Sequence, residues 1–267
     1  MYFTKEYITG TPLDLKRYTL GVINQPIVDY FMYDYDFINF IKPYYMGLSL
    51  SYDDMCKESK LFFTFFLATI SNSKKILDDF YRGLVLIYDT SFEDMELFID
   101  GEGRYVLRID EKGSRIKSKD GKGDAIAFIT DENFVMLCEI VLEMCCFEKP
   151  QKPTELKGDP ELVKRFKQKQ REYYQKRKVD DSMLFENVVR EVMYFRQINS
   201  YDELRNKTIW WLRDCYMVET LRSSEQKQWQ MASGGKYSPK KIKSWQKLTK
   251  LNKTENLRKD DWLWDMQ

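Results

Sequence analysis

The strongest constraint on the fold lies in residues 95–129. "MELFID" (95–100) and "RYVLRID" (104–110) alternate apolar and polar residues and face each other across "GEG", the signature of a β-hairpin. "DAIAFIT" (124–130) follows a Gly/Lys/Ser-rich loop at 112–124 and reads as a third strand. A sheet this small is not stable unless other elements cover a face. The rest of the chain must supply those elements, and its periodicity is helical.

"PIVDYFMYDYDFINFIKPYY" has Ile27, Tyr30, Phe31, Tyr35, Ile38 and Ile41 at helical spacing, with Pro26 suited to the first turn and Pro43 expected to end it. A short strand is expected just before it, over "RYTLGVIN" (17–24). Residues 57–70 and 73–88 read as two helices broken at "SNS", with Ser73 as a cap for the second. The later half of the second, "GLVLIYD", fits a strand equally well. "TDENFVMLCEIVLEMCCF" is the clearest helix, with Thr130 or Asp131 as its cap. Its apolar stripe is Phe134, Leu137, Cys138, Val141, Leu142 and Cys145, and Glu139 and Glu143 share another flank. The expected class is therefore α+β and predominantly α-helical, with a small antiparallel sheet covered by helices and a helical C-terminal module after it.

Composition changes after this body. Residues 151–178 hold ten basic and four acidic side chains among prolines and a glycine. The expected organisation is an α+β domain at 1–148, a basic Pro/Lys-rich linker at 149–179, a helical module at 180–235 and a basic, Trp-containing tail at 236–267. Within the module, Leu184, Val188, Val189, Val192, Met193 and Phe195 make an amphipathic helix. "SYDE" (200–203) matches a capping box, and Thr208 can cap a long helix to about Met231. Ser233-Gly234-Gly235 should stop that helix through αL geometry.

All six tryptophans, Trp210, Trp211, Trp229, Trp245, Trp262 and Trp264, lie in this last part. They are the candidate partner-binding residues, because tryptophan is over-represented among binding hot spots. Trp229 stands apart, alone on the polar half "RSSEQKQWQM" of the long helix, which suggests a packing half followed by a projecting half.

Composition narrows the chemistry. The chain has no histidine, which excludes a Ser-His-Asp triad, a Cys-His dyad and any imidazole-ligated zinc. Five cysteines without a C-x-x-C fit core thiols in a reducing compartment. The N-terminus lacks the pattern of a secretory leader, and the most apolar run, "LFFTFFLATI", is about half a membrane span, so no membrane association is expected. "GKGD" (121–124) lacks P-loop spacing, and "DGEGR" (100–104) reads as a hairpin turn. The pairs Asp53-Asp54, Asp78-Asp79, Asp180-Asp181 and Asp260-Asp261 read as caps or solvated faces, since neighbouring side chains point apart. No catalytic residue, cofactor or metal site is expected. The basic runs at 164–178 and 236–259, interleaved with Tyr173, Tyr174 and Trp245, keep nucleic acid as an alternative partner.

Three segments carry a family resemblance: "YTLGVINQPIVDYFMYDYDFINF", "AIAFITDENFVMLCEIVLEMCCFEKPQKP" and "INSYDELRNKTIWWLRDCYMVETL". In that order, with a glycine break and a basic tail, the chain resembles late-region morphogenesis proteins of tailed bacteriophages of Gram-positive hosts, including tail assembly chaperones. The pair Trp210-Trp211 and the long charged tail depart from that pattern. The resemblance implies a non-enzymatic late protein that binds phage structural proteins, such as the tape-measure protein, in the host cell cytoplasm. It leaves oligomeric state and presence in the virion open. A phage factor acting on a host defence system is the other alternative.

Overall fold

The computed structural model describes residues 4–34, 36–117, 123–147, 149–150, 165, 185–235, 239 and 242. The protein is α+β and mostly helical, with two small antiparallel sheets among the described residues. In chain order come α1 (Thr4–Thr9), β1 (Leu13–Asp14), β2 (Val22–Ile23), α2 (Phe37–Leu50), α3 (Asp54–Ser59), α4 (Phe62–Ile70) and α5 (Lys74–Tyr88). Then follow β3 (Met95–Ile99), β4 (Tyr105–Asp110), α6 (Ser114–Lys117), β5 (Ala125–Ile129), α7 (Phe134–Met144), α8 (Phe185–Arg196) and α9 (Ile209–Ser233).

The hairpin forms as expected. Asp100 Oδ1 accepts from the N–H groups of Glu102 (2.8 Å) and Arg104 (2.9 Å), so the turn is closed by the side chain that opens it. Strand order is β3-β4-β5, with Leu97 opposite Leu107 and Leu107 opposite Ile129. Leu107, Ile109, Ala127 and Ile129 turn to one face and are buried. The outer edge of β5 is closed by the chain's own turn, where Thr19 C=O accepts the Phe128 N–H at 2.8 Å. Gly21 sits there with φ +66°, and a Cβ on it would run into the Ile126 carbonyl.

Aromatic rings join the helices. Phe134 of α7 lies 4.7 Å from Phe66 and 5.2 Å from Phe63, both on α4, and 6.3 Å from Phe80 on α5. Phe40 and Tyr44 of α2 continue the chain of rings, with Tyr44 5.9 Å from Phe80. α2 and α7 come close because Gly47 has no side chain: a Cβ there would lie 2.6 Å from Phe134 Cζ. The whole expected stripe of α7 is buried.

Several local expectations are corrected. Pro43 lies inside α2 rather than ending it. Its ring costs a hydrogen bond to the turn before it. That loss is offset by burial of Phe37, Phe40, Ile41, Pro43, Tyr44 and Leu48 along one side of the helix. The interruption falls earlier, where a π-helical turn (Tyr30–Asp34) precedes Asp36, whose Oδ1 accepts from Ile38 N–H at 2.7 Å. Only Val22–Ile23 of the expected strand at 17–24 is extended, and Lys16–Tyr18 forms a 3-10 turn. Residues 57–70 divide at Lys60, which closes α3 in the left-handed region at φ 58°. "GLVLIYD" is helical as far as Tyr88, and Ser73 precedes α5 without a side-chain cap bond.

The capping of α7 also differs. Asp131 receives Thr64 N–H and Oγ1, both at 2.9 Å, and so caps α4 from 67 residues away. Asn133 occupies the N-cap position of α7, but its amide donates to Tyr18 C=O, Thr19 Oγ1 and Phe128 C=O, tying that turn to the sheet.

Residues beyond the basic segment join the same core. Phe185 stacks on Phe37 at 5.6 Å and lies 5.8 Å from Phe31. Val188, Val189, Val192, Leu204, Ile209, Leu212 and Cys215 are buried in one cluster with the residues of α2, α4, α5 and α7. The backbone is joined as well: Val28 N–H donates to Lys207 C=O (2.9 Å), Asp29 N–H to Arg205 C=O (3.0 Å) and Ile209 N–H to Pro26 C=O (2.9 Å). The linker expected at 149–179 lies almost wholly outside the described residues, and the segments on either side of it share one core.

Candidate partner-binding surface

α9 begins as the sequence suggests. Thr208 Oγ1 accepts Trp211 N–H at 3.2 Å; ahead of it Ser200 Oγ accepts the N–H of Asp202 at 3.2 Å, not that of Glu203 as a capping box would, and starts a 3-10 turn. The helix ends at Ser233, with Gly235 in the left-handed region at φ 71°.

The tryptophans divide along this helix. Trp210 is a core residue, 4% exposed, with its ring stacked on Tyr7 of α1 at 6.3 Å. Its Nε1–H is buried without a hydrogen-bond partner among the described residues. A partner cannot reach this ring without opening the fold, so the surface role expected for Trp210 has no surface to act through. Trp211 is half-buried, with Lys207 Nζ over its ring at 5.6 Å. Trp229 is 51% exposed, and its Nε1–H donates to Glu225 Oε1 at 3.3 Å, one turn back on the same helix. Met231 is exposed beside it in sequence. Trp245, Trp262 and Trp264 lie outside the described residues.

Polar groups gather beside the Tyr7–Trp210 stack. Tyr7 Oη–H donates to Glu143 Oε2 at 3.5 Å, and Lys149 Nζ lies 2.9 Å from Glu143 Oε1. Burial, then the Glu143 charge, push the Tyr7 phenol well above its usual range. Burial likewise pushes the Cys146 thiol up to about 12, with Arg213 opposing it, and raises Cys138 and Cys145 well above the usual thiol value. All five cysteines are free thiols. Such thiols remain protonated at neutral pH and are poor nucleophiles. Arg213 lies over the Phe37 ring at 5.4 Å, and desolvation lowers its pKa.

Periodicity missed a second polar cluster, at the end of the three-stranded sheet. Asp110 is fully buried and accepts from Arg108 Nε (2.7 Å) and Arg115 Nε (2.5 Å). Arg115 also reaches Glu96 (2.7 Å), and Arg108 reaches Gly123 C=O (2.5 Å). The signal was present: Arg108 and Asp110 are two apart on a strand, and the hairpin register sets Glu96 opposite Arg108. Beside it, Asp94 Oδ2 accepts from Ser91 Oγ (2.5 Å) and Gly113 N–H (2.9 Å). The cluster holds α6 against the sheet, and Asp94 Oδ1 is buried there without a hydrogen-bond partner among the described residues.

Burial works to raise the Asp94 pKa, but donation from Gly113 N–H and Ser91 Oγ outweighs it, and the net shift is downward. A depressed folded-state pKa gives stability that is present above the unfolded value of about 4 and is lost as pH falls through the folded value. Acid titration of stability, followed by circular dichroism between about pH 5 and 2, should therefore show a shallower fall for Asp94→Asn than for the parent. An unchanged slope would exclude Asp94 from the acid response.

The remaining candidates carry no converging chemistry. Asp53 caps α3 through Met55 N–H (3.0 Å). Asp79 is buried while Asp78 faces out. Asp180, Asp181, Asp260 and Asp261 lie outside the described residues, as do Tyr173 and Tyr174. A groove between α2 and α5 is lined by acids and bases together, including Asp36, Lys74, Lys75, Asp78 and Arg82. Among the described residues no set of His, Cys, Asp or Glu side chains is arranged to hold a metal ion, and no helix is long and apolar enough to cross a membrane. No protein-family model, curated protein or solved structure matches the chain.

Proposed function

We propose that the protein acts by binding another macromolecule, as a non-enzymatic phage assembly factor of the tail assembly chaperone kind, with the second half of α9 as its docking element. The observation that carries this reading is Trp229: a large aromatic ring, half in solvent, on a helix whose first half is anchored in the core. Leu221 and Ser224 are its last buried residues, and from Gln226 to Ser233 the helix is mostly exposed. An anchored helix presents its outer half with little entropic cost on binding. The partner it suits is a long amphipathic helix, such as a tape-measure protein offers, packing helix against helix.

The test is co-purification with the late structural proteins of the phage, followed by titration of the retained protein. Trp229→Ala should weaken binding by about 2 kcal/mol, roughly 30-fold in Kd. Thermal stability should stay within about 0.5 kcal/mol of the parent, because the ring touches little of the core. Equal affinity for parent and variant would remove α9 from the interface. Recovery of nucleic acid alone, released between roughly 50 and 200 mM salt, would replace the assembly reading with a nucleic-acid one.

A further inference from the structure

We propose that the outer edge of β3 is a homodimer seam, closed by the same strand of a second copy running antiparallel. The sheet has two edges, and among the described residues the chain closes only the β5 edge, through Thr19 and Phe128. At the other, Asp100 N–H donates to Arg104 C=O, which fixes the phase of the hairpin ladder. Alternation then pairs Phe98 and Glu96 inward with Val106 and Arg108, and turns the N–H and C=O groups of Leu97 and Ile99 outward. Met95 N–H is used locally by Phe92 C=O, which leaves the Met95 carbonyl facing out.

The strand has no proline, and its single charge, Glu96, is already paired with Arg115, so little blunts this open edge. Leu97 is 42% exposed, Phe98 39% and Ile99 59%, so both faces of the strand are apolar at the edge. Phe92 just before it and Ile116 on α6 extend the patch, and the Arg115–Glu96 ion pair holds α6 beside β3. Together these side chains expose on the order of 500 Å² per copy, against about 800 Å² per partner in a stable interface of standard size. Backbone and hairpin atoms along the seam supply the remainder.

The occupant follows from the phase. With a two-fold axis at Leu97, the outward groups of Leu97 meet those of its symmetry mate, and Ile99 N–H meets the Met95 carbonyl in each direction. On the core side Leu97 faces Leu97 and Met95 faces Ile99. On the other side Glu96, already held by Arg115, faces Phe98, so no like charges stand directly opposed across the seam. The three-stranded sheet becomes a continuous six-stranded one across the dimer.

The test is sedimentation equilibrium of the full chain from about 1 to 100 µM, with two variants. The parent should reach a dimer, and Leu97→Lys should stay monomeric with an unchanged helical circular dichroism spectrum. Leu97→Cys should form a covalent dimer on mild oxidation, because residues facing across a bonded pair sit about 5.5 Å apart at Cα, within disulfide reach. Phe98→Cys, facing Glu96, should not. A parent that is monomeric throughout the range overturns the proposal, as does a dimer indifferent to Leu97→Lys. Cross-linking through Phe98→Cys but not Leu97→Cys overturns the register and with it the two-fold.

Discussion

Phe134→Ala should lower stability by about 3–5 kcal/mol, the cost of emptying a buried aromatic site whose walls collapse only in part. The ring fills the space between three helices, within 6.3 Å of Phe63, Phe66 and Phe80, and it is also the group that the missing side chain of Gly47 admits. Neighbouring rings on short rigid helices cannot all move in to close the gap. Thermal or urea unfolding measures the loss, and a fall in Tm of roughly 10 °C is expected for a chain of this size. Phe134→Leu, which keeps most of the volume, should cost distinctly less. A loss below about 1 kcal/mol for the alanine variant would mean that these helices do not converge on this ring.

The second large effect is expected at Asp110. Its carboxylate is fully buried and receives both Arg108 and Arg115, whose side chains are 20% and 18% exposed. Asp110→Ala leaves two largely desolvated guanidinium groups without their shared acceptor, a loss of about 3–5 kcal/mol when a buried pair is broken from one side. The same change loosens α6 on the sheet, because the Arg115 side chain then keeps only Glu96 as a salt-bridge partner within 4 Å among the described residues. Combining Asp110→Leu with Arg115→Met should recover part of the loss, since it removes one of the two guanidinium groups left without their acceptor, while Arg108 keeps only the Gly123 carbonyl. Denaturant titration of the single and double variants supplies the cycle. Additive losses would show that the two side chains do not stabilise the fold through each other.

How much of this was legible in the sequence depends on how local each cause is. The hairpin at 95–110 and the stripe of α7 are short-range patterns, and both stand as read. Thr208 as the cap of the last long helix is also local, and it holds. What escaped is long-range. Asp131 looks like a cap for the helix that follows it, yet it serves α4, because folding brings Thr64 nearer to it than the backbone it precedes. Lys60 carries no glycine-like signal for the left-handed turn it makes. Pro43 is an effective helix breaker only where its helix is exposed, and here the helix face is buried.

The tryptophans show the same limit. Trp210 and Trp211 are adjacent, so a helix points them in directions about 100° apart, and only the packed neighbours decide which enters the core. Tyr7, at the other end of the chain, makes that choice. Trp229 could be placed on the projecting half because the turn before it, Glu225 to Gln228, is wholly polar. The shared core of residues 7–145 and 185–215 has no periodic signature at all, since a basic segment in sequence says nothing about whether its two flanks meet.

The backbone seam between residues 26–29 and 205–209 sets the order in which this molecule can be made. During synthesis the amino-terminal strand and helix must wait, with their hydrogen-bonding groups in water, until some two hundred further residues have left the ribosome. Contacts that span so much of a chain slow folding and prolong the exposure of apolar surface. A message cut short before Thr208 therefore yields not a smaller working unit but a nascent chain without its closing clasp.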